Sequence, residues 1–227
     1  MTDIKMINGH PFVKYTCNSY SEADMIERIA AFQSLMDARR SCRDFSDKPI
    51  PVELIQKIVM TASTAPSGAN KQPWTFCIIS DQAIKTRIRI TAEKEEKESY
   101  EGRMPEAWKK DLLPLQTDWK KEFLETAPFL VIVFRKSYDV DDKGNKTNTY
   151  YSHESCGIAC GFLLAAIHQA GLVSLTHTPS PMNFLNSILS RPVNEKPFLV
   201  IPVGYPADEC WVPDINRKPL NEVAVYF

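Results

Sequence analysis

Arg39, Arg40 and Arg43 fall in one short block with Ser41 and Cys42, directly ahead of Asp44-Phe45. Three guanidiniums and a hydroxyl make a poor core, but they suit a bound phosphate: each arginine offers a planar fork of donors to phosphate oxygens and stays charged at physiological pH. Taken alone, the block equally suits a solvated helix end, where cations complement the C-terminal dipole. A second set lies downstream. Glu96 and Tyr100 are spaced to share one helix face, and Lys121 comes later beside Trp119. A carboxylate can pair with an ammonium, a lysine with a carboxylate, and a phenol can bridge them, so the set complements an amino-acid zwitterion. The same charge run, Glu93 to Glu101, also reads as a solvated helix face.

Two loops complete the candidates. In Pro66-Ser67-Gly68-Ala69 the glycine lets backbone N–H groups approach a planar ring closely. Thr176-His177-Thr178 comes after an apolar run, where on their own two threonines read as ending the strand and capping the next segment. Metal spacing is absent: the histidines are dispersed, and Cys156 and Cys160, one helical turn apart without a third ligand, read as buried helix positions.

The elements that must place these groups can be read from periodicity. Ser21 to Ala38 reads as a helix with Ser21 and Asp24 as a capping box and an apolar stripe of Met25, Ile29, Phe32 and Met36; it delivers the arginine block. A second helix starts at Pro51 as its first position, with Val52, Ile55, Val59 and Ala62 on one side, and a strand runs from Trp74 to Ile79. Asp81 caps a long helix with Ile84 and Ile88 on its apolar side. Residues 93–123 show only scattered apolar positions and read as a lid. Phe129 to Phe134, Leu172 to Leu175 and Phe198 to Val203 read as buried strands. Tyr151 to Ala170 reads as a helix ended by Gly171, and Asn183 to Leu189 as a short helix. Residues 206–227 carry prolines and an apolar tip, Val223 to Phe227, without helical periodicity. They read as an extended C-terminal arm that buries its tip on a second subunit.

Composition sets the class. At 227 residues and 44% hydrophobic, the chain supports one α+β domain over residues 1–227. A net charge of −1 gives no pull toward nucleic acid or an anionic membrane. The first 20 residues are polar and lack the regions of a signal peptide, and the longest apolar run is far short of the roughly 20 residues that span a bilayer. With no secretory signal, the six cysteines read as free thiols, and a cytoplasmic location is expected.

The ordered set Arg39-Arg40-Ser41-Cys42-Arg43, Thr64 to Ala69, Gly171-Leu172-Val173 with Thr176-His177-Thr178-Pro179, Pro202-Val203-Gly204-Tyr205-Pro206 and Arg217-Lys218-Pro219 resembles the flavin-dependent nitroreductases, more narrowly their iodotyrosine deiodinase branch. The resemblance extends from about residue 35 to 220. It implies a nitroreductase-like fold, a central mixed sheet flanked by helices, in an intertwined homodimer with extended terminal arms. FMN is the implied cofactor, bound by Arg39, Arg40, Ser41, Cys42, Arg43, Pro66, Ser67, Gly68, Thr176, His177, Thr178 and Arg217. A Thr178 hydroxyl on the flavin ring nitrogen N5 would favour one-electron over hydride transfer. The resemblance further implies a halotyrosine whose zwitterion meets Glu96, Tyr100 and Lys121 and whose phenolate meets the Ala69 N–H. The implied reaction is reductive dehalogenation to halide and tyrosine. A broad nitroreductase or quinone reductase, and a flavin-binding protein without turnover, are the alternatives. No Gly-x-Gly-x-x-Gly or Walker sequence is present. An NAD(P)H donor would therefore visit the flavin site itself or act through a redox partner. The membrane anchor of vertebrate deiodinases is not expected here.

Overall fold

Asn8 and Gly9, both at positive φ (49° and 81°), close a hairpin between β1 (Ile4–Ile7) and β2 (His10–Val13). An Asn-Gly pair between extended segments is the strongest short-range hairpin signal, because a two-residue turn of this hand matches the twist of its strands. From the sequence this stretch reads only as polar, and the hairpin corrects that. Helix α1 (Glu22–Ala38) comes next. Its capping box forms as expected: Asp24 N–H donates to Ser21 Oγ (3.2 Å) while Ser21 N–H donates to Asp24 Oδ2 (3.3 Å). Its stripe residues Met25, Ile29 and Phe32 are exposed.

Residues 3–227 are described by a computed structural model, and they divide into two units with the boundary between Ala38 and Arg39. The second unit carries the sheet. Helix α2 (Val52–Ala62) starts one residue after Pro51, which stands outside it as the N-cap. Strand β3 (Trp74–Ile79) leads to α3 (Gln82–Glu98), where the Asp81 side chain accepts the Ile84 N–H at 2.8 Å, as expected of a cap. A π-helical turn (Ser99–Arg103), α4 (Glu106–Leu112), a 3-10 turn (Leu113–Leu115) and α5 (Phe123–Thr126) come next. After them stand β4 (Phe129–Lys136), a small ribbon of β5 (Asp139–Val140) and β6 (Lys146–Thr147), and α6 (Ser152–Gln169). Gly171, at φ 75°, ends α6: its N–H bonds the His168 carbonyl (3.0 Å) and that of Leu172 the Ile167 carbonyl (3.1 Å), which satisfies the last turn. Last come β7 (Val173–Ser174), α7 (Phe184–Ile188), β8 (Glu195–Gly204) and, inside the tail expected to be extended, one helical turn α8 (Leu220–Val223).

The sheet runs β3-β4-β8-β7 with antiparallel ladders, and a parallel bridge from Ser41 to Ser174 adds the mixed character at its edge. Strand β4 is covered on both faces. Leu130, Ile132 and Phe134 point to a layer holding Ile88, Leu124 and Leu185, and Val131 and Val133 point to a layer holding Ile55, Ile58, Leu163 and Ile167. An alternating strand buried on both sides reads as a continuous apolar run, and each such side chain contributes about 2 kcal/mol by leaving water. Cys156 and Cys160 are buried in α6 as expected, their thiols pushed up to about 12 by burial. The edge at β7 places the chemistry. Cys42 N–H donates to the Ser174 carbonyl (3.1 Å), Ser46 N–H to the Tyr205 carbonyl (2.9 Å) and Ala207 N–H to the Asp44 carbonyl (3.0 Å), so the arginine block is stitched to β7 and to the chain leaving β8.

Candidate functional site

Arg39, Arg40, Ser41 and Arg43 line a cavity of about 320 Å³ together with Thr176, Pro213 and Arg217. The tail closes it: Arg40 donates to the Pro213 carbonyl, and Arg217 Nη2 donates to the Arg39 carbonyl at 2.9 Å across 178 positions of sequence. Arg39, Arg40 and Arg43 are half-buried, and among the described residues none of them lies within ion-pair distance of a carboxylate. Partly desolvated cations without counter-charge call for an anion from outside the chain. Cys42 does not join them. In the extended backbone its side chain alternates inward, where burial and the neighbouring Cys210 push the thiol up to about 12; its contribution here is the backbone bond to Ser174.

A second cavity, of about 340 Å³, adjoins at Thr176 and is lined by Glu96, Tyr100, Lys121, His177 and Thr178 among others. Thr176 and Thr178 are exposed toward solvent while His177 is buried, the alternation of an extended segment, and the His177 and Val200 backbones bond each other both ways at 2.9 Å. Lys121 Nζ stands 3.5 Å from Glu96 Oε2, with side chains only 4% and 15% exposed. Its ammonium also donates to the Asp118 carbonyl and lies 3.5 Å from Thr117 Oγ1, and the Tyr100 hydroxyl donates to the Thr117 carbonyl at 3.2 Å. Burial raises the Glu96 carboxyl and lowers the Lys121 ammonium, in each case against the attraction of the other. Desolvation therefore outweighs mutual attraction, and the pair gains from any ligand that offers each charge a further partner.

Sequence reasoning missed the apolar side of this cavity. Trp108 and Leu112, four apart on one side of α4, line it with Met104, which stands in extended backbone just ahead of that helix; the stretch reads as scattered only when the i, i+4 spacing is not counted. It missed Arg103 too, whose Nη2 donates to the Glu95 carbonyl (2.6 Å) and to that of Ser180 (3.2 Å), tying the end of α3 to the loop after Thr178.

Pro66, Ser67, Gly68 and Ala69 line neither cavity. Their loop is held elsewhere: Gly68 bridges Tyr150, and a Cβ on it would stand 2.8 Å from the Tyr150 carbonyl oxygen, so only glycine fits. Ser67 Oγ accepts the Gln72 N–H at 2.9 Å, and Ala69, at the exposed tip, holds a φ of 48° that alanine rarely adopts.

The donors fit FMN on two observations: Arg39, Arg40 and Arg43 on the first cavity without a counter-charge, and, on the second next to the shared Thr176, His177, whose Nε2 is buried without a hydrogen-bond partner. Burial first, then Lys121 and Arg43, lowers the imidazole to about 3, so it is neutral at physiological pH and can offer a lone pair or one N–H, but no charge. A dianionic phosphate suits the arginines, and a polar ring edge suits His177.

Comparison with known proteins agrees with this assignment. The nitroreductase family model matches residues 36–205. An iodotyrosine deiodinase of Haliscomenobacter hydrossis is 58% identical over 216 residues, covering 95% of this chain and 97% of that protein. Iodotyrosine deiodinase 1 of Homo sapiens is 42% identical over 214 residues, covering 94% of this chain and 74% of that protein. Among solved structures, an oxidised iodotyrosine deiodinase bound to FMN and 3-iodo-L-tyrosine matches with a TM-score of 0.74 at 33% identity, covering 86% of this chain and 98% of that one. The α+β architecture, the ordered motifs and these similarities together place the chain in the nitroreductase family, beside its iodotyrosine deiodinases.

Proposed function

We propose that the chain is an FMN-dependent reductive dehalogenase of halogenated tyrosines. The observation that carries this reading is the sheltered Glu96–Lys121 pair, opposite charges held 3.5 Å apart in a cavity that shares Thr176 with the arginine-lined one. A halotyrosine zwitterion would exchange that one pair for two, its ammonium on Glu96 and its carboxylate on Lys121, with the Tyr100 hydroxyl able to turn from Thr117 to the carboxylate. Trp108, Met104 and Leu112 would cover the aromatic ring and exclude water, the service expected of a lid over residues 93–123. Arg39, Arg40, Ser41, Arg43 and Arg217 would hold the FMN phosphate, and Thr176, His177 and Thr178 the ring, with the Thr178 hydroxyl aimed at N5. When bound, FMN supplies the two electrons that, with one proton, convert the carbon–halogen bond to carbon–hydrogen and release halide.

The reading includes a homodimer. Exposed apolar side chains on α1 (Met25, Ile29 and Phe32) and, separately, in the tail (Val223, Val225, Tyr226 and Phe227) would need a partner surface. A second subunit would also bring Pro66-Ser67-Gly68 and the Ala69 N–H to flavin and phenolate, which explains why this loop lines neither cavity of one chain. Residues 1–227 then act as one functional domain. Electrons would come from NAD(P)H at the flavin site or through a redox partner. A cytoplasmic location accords with the six free cysteines. Among the described residues no helix is long and apolar enough to cross a membrane.

The test is anaerobic: the FMN-loaded, chemically reduced protein is mixed with 3-iodotyrosine and iodide is measured. One iodide and one tyrosine per reduced flavin is the expected result. Full reoxidation by nitroarenes with no iodide released from 3-iodotyrosine would refute the reading.

A further inference from the structure

The charges of α3 make more contacts than zwitterion recognition needs. Arg89, Glu93 and Glu96 recur at helical spacing on one face. Glu96 reaches the Lys121 ammonium, whereas Glu93 reaches the Lys121 backbone: its Oε1 accepts that N–H at 2.8 Å. Glu93 is itself fixed by Arg89, whose Nη1 donates to its Oε2 at 2.7 Å and whose Nε lies 2.9 Å from Glu125 Oε1. These are sheltered groups, the Arg89 side chain 26% and that of Glu93 13% exposed, so the contacts are not those of a solvated helix face. One turn earlier, Lys85 donates to the Glu125 and Ala127 carbonyls at 2.8 and 2.9 Å, which ties α3 to the end of α5. The Glu125 carboxyl is held below its ordinary range, first by its bond from Arg89.

Substrate binding gives this arrangement a purpose. For the Lys121 ammonium to receive a carboxylate, it must loosen its hold on Glu96, and its long flexible stem then no longer fixes the residue in place. What remains is the backbone, whose carbonyl accepts the Leu124 N–H at 2.9 Å and whose N–H is pinned to α3 by Glu93. We infer that Glu93, locked by Arg89, is a positioning residue for Lys121, keeping the lysine backbone in register while its ammonium changes partners. The inference rests on the reading of Lys121 as the carboxylate partner. It predicts selectivity: loss of the anchor harms ligands that carry the amino-acid zwitterion and spares those that do not.

The experiment uses the full-length, FMN-loaded protein with 3-iodotyrosine and, lacking both ammonium and carboxylate, 2-iodophenol. Glu93→Ala is expected to raise KM for 3-iodotyrosine about tenfold, the effect of a lost hydrogen bond to a charged acceptor, with kcat little changed. KM for 2-iodophenol and FMN retention should stay as in the wild type. Glu93→Gln keeps a carbonyl oxygen for the Lys121 N–H and should recover part of the loss; it also carries the test if the alanine variant does not fold. Arg89→Lys should lie between Glu93→Gln and the wild type. An unchanged KM for 3-iodotyrosine, or parallel losses on both ligands together with FMN loss, would overturn the inference and leave Glu93 a structural residue. Absence of saturation by 3-iodotyrosine in the wild type would overturn the site reading first, and this inference with it.

Discussion

The arginine wall is held from outside itself, whereas residues 93–123 largely hold themselves. Arg39 to Arg43 are fixed by backbone bonds to Ser174 and, through Asp44, to Ala207, and by contacts with Pro213 and Arg217 from the tail, all on an edge of the central sheet. The 93–123 segment runs from the last turns of α3 through a π-helical turn, a short helix and a 3-10 turn, with Tyr100 bonded to Thr117, Lys121 to Asp118, and Arg103 to Glu95. A wall anchored at several distant points suits a cofactor that stays. A segment satisfied by its own groups suits a ligand that comes and goes, since those groups can exchange partners at little net cost. Damage to one region should therefore leave the other's ligand in place.

Lys121→Ala should show this division most visibly on the lid side, weakening halotyrosine binding about 100-fold or more, because a carboxylate would be buried without its cation. FMN retention, read from flavin absorbance after gel filtration, should not change. On the wall side, Arg39→Ala should weaken FMN about tenfold by equilibrium dialysis, the worth of one charged hydrogen-bonding group. Arg217→Ala should cost less, since that side chain is exposed. A variant in either region that lost both ligands equally would dissolve the comparison.

Titration sharpens it further. Burial raises the Glu96 carboxyl, and only its ionised form pairs with an ammonium. Halotyrosine binding should thus weaken, as pH falls, at a pH above the ordinary carboxylate value of about 4.3. Glu96→Gln should abolish that limb and leave FMN binding without it. A separate effect concerns stability. His177, lowered to about 3, refuses a proton that the unfolded chain accepts near 6.5, so the folded state loses stability as pH falls from about 6.5 toward 3. In thermal melts of His177→Gln that part of the slope should disappear.

Local rules made much of this legible in the sequence. The Ser21–Asp24 box, the Asp81 cap, strand Trp74–Ile79 and the Gly171 helix end depend on neighbours in the chain, and each stands where its residues predict. The arginine block and its partner Arg217 were legible only as an ordered set, because nothing local says that residues 178 positions apart meet. Glu93 and Arg89 stayed hidden because a charge run is read as facing water. Their i, i+4 spacing ahead of Glu96 was visible, but its meaning depends on Lys121 folding back beneath α3. Pro66 to Ala69 show the opposite case: the loop has the glycine and strained alanine of a functional turn, yet one chain alone leaves it away from both cavities.

The central claim is that the wall brings FMN and the Glu96–Lys121 pair chooses what meets it. Its most direct test is a flavin-fluorescence titration of the FMN-loaded wild type and Lys121→Ala with 3-iodotyrosine. Saturable quenching in the wild type, shifted about 100-fold or more in the variant with FMN still bound, is the predicted result. Equal quenching curves for the two proteins would contradict it.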